Sequence, residues 1–128
     1  MFDKYIICED SLRPTKTPKP GAQVEVRLPY YRGLGLSMVE AVDVSVDGQT
    51  VDPQVTTLTV HGRTYPFSDL GGVLDDRWEM GEHATVAFPL DRPLESGVHD
   101  IDVAIRLRIS YMPVPGGGRD RKRLTLQD

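Results

Sequence analysis

The chain has almost no cysteine: Cys8 stands alone among 128 residues. An intrachain disulfide is therefore impossible, which excludes a small scaffold stapled by disulfides. Cys8 sits in the apolar run Tyr5-Ile6-Ile7-Cys8, the setting of a buried, inert thiol, since a reactive thiolate needs a polar or cationic one. No apolar run approaches the roughly 18 residues of a membrane-spanning helix. The opening Met1, Asp3 and Lys4 show no signal-peptide pattern, so the expected compartment is the cytoplasm. A cationic excess is missing too: 15 Lys and Arg face 19 Asp and Glu, a formal net charge of -4. That balance speaks against nucleic acid or an anionic membrane as the main partner, because both select basic surfaces. No 3.6-residue period is sustained, and ten prolines leave little room for long helices.

What is present is a period of two. Val24, Val26 and Leu28 alternate with Gln23, Glu25 and Arg27, and Val42, Val44 and Val46 with Asp43, Ser45 and Asp47. Ile101, Val103, Ile105, Leu107, Ile109 and Tyr111 share one side of a longer alternation. Asp100, Asp102, Arg106, Arg108 and Ser110 hold the other. Such alternation describes strands with one buried and one wet face. Asp47-Gly48 is a hairpin dipeptide, because a type I′ turn needs positive φ at both central residues. His61-Gly62 reads as a second reversal. Gly71-Gly72, Glu95-Ser96-Gly97 and Gly116-Gly117-Gly118 read as breaks, the last as a mobile loop. Segment 13–21, rich in Pro, Lys and Thr, reads as an exposed loop, and 36–42 has room for one helical turn. Seven or eight short strands predict an all-β fold, an antiparallel β-sandwich of immunoglobulin- or fibronectin-like architecture. Residues 1–128 form one domain of ordinary size.

Complete catalytic motifs are absent. His61, His83 and His99 are far apart in sequence and form no metal-binding pair, so each reads as a surface or loop residue. No serine lies in a nucleophile elbow, and no glycine loop opens a helix. Asp75-Asp76 on a strand would point to opposite faces and not cooperate as acid and base. A solvated turn with an Asp–Arg contact is the reading there. Aromatic and arginine residues instead gather between the strands: Tyr30, Tyr31 and Arg32, then Tyr65 and Phe67, then Trp78, then Tyr111, Met112 and Pro113. These residue types anchor protein interfaces, so the set as a whole reads as a binding surface, while for any single residue, Trp78 and one or two tyrosines among them, capping the sandwich core is an equal reading.

The strings 27–37 (RLPYYRGLGLS), 60–65 (VHGRTY), 75–84 (DDRWEMGEHA) and 106–113 (RLRISYMP), followed by Gly118-Arg119-Asp120-Arg121-Lys122, resemble the small (beta) subunit of bacterial C-glycoside deglycosidases. The resemblance runs from Met1 to Leu126, and only 13–21 carries none of it. It implies a β-sandwich in an obligate hetero-oligomer with a TIM-barrel alpha subunit. The alpha subunit would hold a divalent metal, Mn²⁺ or Mg²⁺, and this chain no cofactor. It also implies that the complex is a carbon–carbon lyase acting on a small-molecule 3-oxo-C-glycoside, whose sugar is joined to an aromatic aglycone. An aryl C-glycoside has no glycosidic oxygen to protonate, which closes the two-carboxylate route of ordinary glycosidases. A 3-oxo group acidifies the hydrogen at C2. A base removes that proton, the metal acts as Lewis acid, and elimination expels the aglycone. Base and metal belong to the alpha subunit, so this chain is expected to have no catalytic residue of its own and no activity alone.

On this reading Tyr30, Tyr31, Arg32, Trp78, Tyr111, Met112 and Pro113 are expected at the subunit contact. There they would hold the barrel's active-site loops, with one chain segment lining the aglycone side of the pocket. Two rival readings are a stand-alone carbohydrate-binding module, with Trp78, Tyr30 and Tyr31 stacking on a sugar ring, and an immunoglobulin-like structural domain. Fold alone does not decide among the three.

Overall fold

The computed structural model of the chain describes residues 6–15, 21–28, 33–79, 82–90, 94–108 and 116–127. Eleven strands are present among them: β1 (Arg13–Thr15), β2 (Gly21–Arg27), β3 (Leu34–Gly35), β4 (Val39–Val46), β5 (Gln49–Thr50), β6 (Thr57–Val60), β7 (Arg63–Pro66), β8 (Arg77–Trp78), β9 (His83–Pro89), β10 (Val98–Leu107) and β11 (Gly116–Thr125). One sheet has the order β1-β2-β9-β6-β7, a second β11-β10-β4-β5, and β3 pairs with β8 in a two-stranded ribbon. All these pairings are antiparallel. The predicted all-β sandwich is therefore the observed class.

The alternation in the sequence is the alternation in burial. Val24 and Val26 of β2, Leu58 of β6 and Val86 and Phe88 of β9 turn inward from one sheet. Val42, Val44 and Val46 of β4 and Ile101, Val103, Ile105 and Leu107 of β10 meet them from the other in one continuous core. Each such side chain contributes about 1.5–3 kcal/mol when fully buried. The outward residues of β10 and β11 are laced by charge: Asp102 accepts from Arg119 at 3.0 Å and Arg121 at 2.9 Å, and Asp100 faces Arg123 at 3.2 Å.

Both expected hairpin turns form. Asp47 and Gly48 have φ of 51° and 85°, and His61 and Gly62 have 55° and 75°. A 3-10 turn at Leu36–Met38 runs straight into β4, matching the single turn expected there.

Three expectations need correcting. Gly116-Gly117-Gly118 is not a loop but the start of β11, in register with Leu107, Arg106 and Ile105. The ten-residue ladder of β10 supplies hydrogen bonds that offset the entropic cost of glycine in a strand. Arg13–Thr15, read as loop, is strand β1, paired with 21–23. Eleven strands are described where seven or eight were expected, while Gly71-Gly72, an expected break, closes a 3-10 helix, Phe67–Gly72, that carries buried Leu70 into the core. A segment invisible to periodicity, 6–12, straps the sandwich edge. Ile7 N donates to Asp120 Oδ2 at 3.0 Å, Cys8 N to Glu25 O at 2.9 Å, and Gln127 N to Leu12 O at 2.8 Å. Cys8 is buried there, and desolvation pushes its thiol pKa up, as its apolar run predicts. No described helix is long and apolar enough to cross a membrane.

Candidate functional site

The antiparallel pairings bring several strand ends to one end of the sandwich. In the five-stranded sheet, β2 ends at Arg27 opposite His83, the first residue of β9. There β6 runs into the His61-Gly62 turn. In the other sheet, β10 ends at Leu107 opposite Val39 and Gly116. The ribbon joins the two: Leu34 pairs with Trp78, Leu36 N donates to Asp76 O at 3.1 Å, and Arg108 N to Met38 O at 2.8 Å. Leu28, Gly33, Glu79, Glu82, Arg108 and Gly116 therefore share this end. Tyr30, Tyr31, Arg32, Tyr111, Met112 and Pro113, expected at a subunit contact, lie outside the described residues. The described residues that flank them all belong to this end. The flanks of 16–20 lie at the opposite one, where Thr15 pairs with Gly21 and Gly21 with Pro89.

The seventh expected contact, Trp78, has a different role. Its side chain is completely buried in its own chain, and the indole Nε1 donates to Glu82 O at 2.8 Å. Strand β8 turns the ring inward between the two sheets, where its apolar body fills the core and its one polar atom is satisfied. The side chain thus offers no surface to a partner or a sugar ring.

Around Trp78 the structure assembles a polar network that the sequence did not reveal. His61 Nδ1 lies 2.9 Å from Asp76 Oδ1, and His61 Nε2 lies 2.6 Å from Glu82 Oε2. Tyr65 OH donates to Asp76 Oδ2 at 2.7 Å, and Arg77 N to Asp76 Oδ1 at 2.9 Å. Glu79 N donates to Glu82 Oε1 at 3.0 Å. The end of the exposed Glu79 side chain lies over Gly33, where an added Cβ would require it to shift. The hydrogen bonds from Tyr65 and then His61 pull the Asp76 carboxyl down to about 2. The same contacts, Asp76 first and Glu82 second, raise the His61 pKa, and Asp76 raises that of Tyr65.

Asp75 and Asp76 lie in the bend between the Phe67–Gly72 helix and β8 and not on a strand. Asp75 is exposed and lies 4.0 Å from Arg63, which is the expected Asp–Arg contact. Asp76 departs from the solvated-turn reading because it is buried. The partners of His61 lie 15 and 21 residues away, so no local motif signals the network. The positive-φ turn was the one visible clue. His61 and His83 are exposed, as read from sequence, but the His99 side chain is only 11% exposed.

This constellation is closed on itself. Both ring nitrogens of His61 are engaged, and among the described residues no group of three His, Cys, Asp or Glu side chains is placed to hold a metal ion. The Asp76 carboxylate, with three polar contacts fixed and its charge stabilised, is a poor proton carrier at neutral pH. The arrangement positions chain segments.

Comparisons with known proteins agree with this division. The profile of the C-glycoside deglycosidase beta subunit family matches residues 2–111. The 3'-dehydrocarminate deglycosidase beta subunit of a Microbacterium species is 32% identical over 133 residues, covering 100% of this chain and 98% of the relative. The C-glycoside deglycosidase beta subunit of Microbacterium trichothecenolyticum is 30% identical over 112 residues, covering 88% and 82%. That of Eubacterium cellulosolvens is 32% identical over 93 residues, covering 73% of this chain and 63% of the relative.

Proposed function

The chain belongs to the C-glycoside deglycosidase beta subunit family, and from that premise we propose that it is the non-catalytic small subunit of a carbon–carbon lyase. The observation that carries this reading is the family match through 110 of 128 residues (2–111) together with a relative aligned along the whole chain. The proposed partner is a TIM-barrel alpha subunit in an obligate complex. The proposed substrate is a 3-oxo-C-glycoside bearing an aromatic aglycone. A divalent metal, Mn²⁺ or Mg²⁺, would supply Lewis acidity in the partner. The work of this chain is positional. Small displacements of catalytic groups cost large factors in rate, so a stiff sandwich end that fixes the barrel's loops raises activity without touching the reacting atoms. The closed network of His61, Asp76, Glu82 and Trp78 supplies that stiffness beside the proposed contact. An obligate contact should bury about 2,000 Å² or more in total.

The buried indole argues against the stand-alone sugar-binding reading, since Trp78 offers no ring face for stacking. The test is co-expression with a barrel-type alpha subunit and an assay for released aglycone from a 3-oxo-C-glycoside. Each chain is tested alone and together, with and without Mn²⁺. Release only by a co-purifying pair supports the proposal. A chain that stays monomeric beside the barrel and leaves its activity unchanged sinks it.

A further inference from the structure

Two of the three histidines have both ring nitrogens against hydrogen-bond acceptors. His99 Nδ1 lies 2.7 Å from Asp47 Oδ2, and His99 Nε2 lies 2.7 Å from the backbone oxygen of Glu95. A neutral imidazole has one N–H and one lone pair. A peptide carbonyl has no proton to give, so a neutral ring would leave one of these short contacts with no hydrogen in it. Asp47 is itself fixed as an acceptor: Oδ1 takes the Asp100 N–H at 2.9 Å. At the other end of the sandwich His61 stands between Asp76 and Glu82, at 2.9 and 2.6 Å. Asp76 already accepts from Tyr65 and Arg77, and Glu82 Oε1 from Glu79.

We propose that each end of the sandwich is closed by a bound proton: His61 and His99 are imidazolium cations that each tie a hairpin turn to a neighbouring chain reversal, and both ties loosen as the solution becomes alkaline. At one end the tie joins the turn after β4, through Asp47, to the reversal before β10, through Glu95. At the other it joins the turn after β6, through His61 itself, to the chain on either side of Trp78.

The charged surroundings agree at both places. His99 faces Asp47 and Glu95, with Leu124 opposite on β11; Asp100, the next residue of β10, carries Arg123. Around His61 stand Asp76, Glu82 and Tyr65. Arg63 is turned to Asp75, and Arg77 to Glu79. Carboxylates thus outnumber free cations around each ring. Both histidine pKa values are raised from 6.5, by Asp76 then Glu82 for His61 and by Asp47 first for His99. A raised histidine stabilises the fold fully below its ordinary value, and the contribution is lost as pH rises through the folded value.

The inference concerns this chain alone and stands apart from the subunit reading. The test is side-chain ¹⁵N NMR of the full histidine-labelled chain across the neutral and alkaline range. His61→Gln and His99→Gln assign the signals. The expected result is two protonated nitrogens on both rings at neutral pH. Stability to urea should fall on the alkaline side in the wild type and stay level there in the double variant. Asp47→Asn, which keeps the shape and removes the charge, should move the His99 titration to lower pH. A ring with a single protonated nitrogen at neutral pH overturns the proposal at that end. For His61 that result, with Glu82→Gln leaving the ring unchanged, assigns the proton to Glu82. An unmoved His99 titration in Asp47→Asn overturns the other.

Discussion

Replacing Trp78 separates two roles that an aromatic residue in this family position can have. The structure buries its side chain fully and satisfies its indole nitrogen within the chain. Trp78→Ala should therefore damage the isolated chain before any partner is involved. Loss of a buried Trp side chain costs about 3–5 kcal/mol. The orphaned Glu82 carbonyl brings the loss to the upper part of that range. Against a total stability of about 5–15 kcal/mol, about a quarter or more of the folding free energy goes. With a urea slope of about 1.5 kcal/mol per molar, the midpoint should fall by about 3 M. Trp78→Phe keeps most of the bulk and loses the N–H, for about 1–3 kcal/mol. Far-UV circular dichroism is the assay, because the substitution removes the only tryptophan and with it the fluorescence probe. Variants as stable as wild type, yet unable to bind the alpha subunit, would show that the indole faces outward and that the core assignment is mistaken.

Other outcomes follow from the same coordinates. A Cβ at Gly21 would strike the backbone of Phe88 and Pro89, whereas one at Gly72 meets nothing within 4 Å. Gly21→Ala should cost about 2 kcal/mol or more and Gly72→Ala less than about 0.5, read from paired urea melts. Asp120 is buried and accepts both Ile7 N at 3.0 Å and Lys122 Nζ at 2.6 Å. Asp120→Ala should cost about 2–3 kcal/mol and release the 6–12 strap, seen as faster amide exchange at Ile7. Asp76 has its pKa lowered to about 2 from an ordinary 3.8. Its stabilisation is complete above the ordinary value and is lost as pH falls through the folded one. Asp76→Asn should therefore flatten the acid limb of a stability–pH curve, and an unchanged limb would refute the assignment.

Much of the sandwich was legible because its cause is local. A strand with one wet face must alternate, so Val42 to Val46 and Ile101 to Leu107 announced both their structure and their buried side. Asp47-Gly48 and His61-Gly62 announced their turns because few residues accept positive φ. What stayed hidden depends on partners distant in sequence. β11 begins with three glycines and continues with a mostly basic run, Arg119 to Arg123, neither a strand signal by itself. It is a strand because β10 lies beside it, with Asp100 and Asp102 opposite its arginines. Trp78 read as an interface anchor because it is an aromatic residue lying between the clean alternating runs. A two-residue strand is too short to display the alternation that buries Trp78. Asp76 and His61 meet only because β3 pairs with β8 and so carries Asp76 up to the β6–β7 turn.

The same topology gives the family reading a geometric form it lacked. In sequence, Tyr30 to Arg32 and Tyr111 to Pro113 are some eighty positions apart, joined by nothing but residue type. Strands β2 and β10, which lead to them, belong to different sheets and could have emptied onto opposite ends. Instead the register of β2 with β9 and of β10 with β4 sends both toward the ribbon. There Trp78 fills the shared core, the His61–Asp76–Glu82 network ties the β6–β7 turn to the chain on either side of Trp78, and Leu36 N on Asp76 O leads on to β4. A partner seated on that end would meet flanking residues from both sheets, held at a separation fixed by a buried indole and short hydrogen bonds. Loosening the tie without altering the contact residues should therefore weaken association. His61→Gln, which leaves the core intact, is the variant for this test: a lower affinity for the alpha subunit at unchanged far-UV dichroism supports the coupling. Unchanged affinity would place the contact elsewhere on the sandwich.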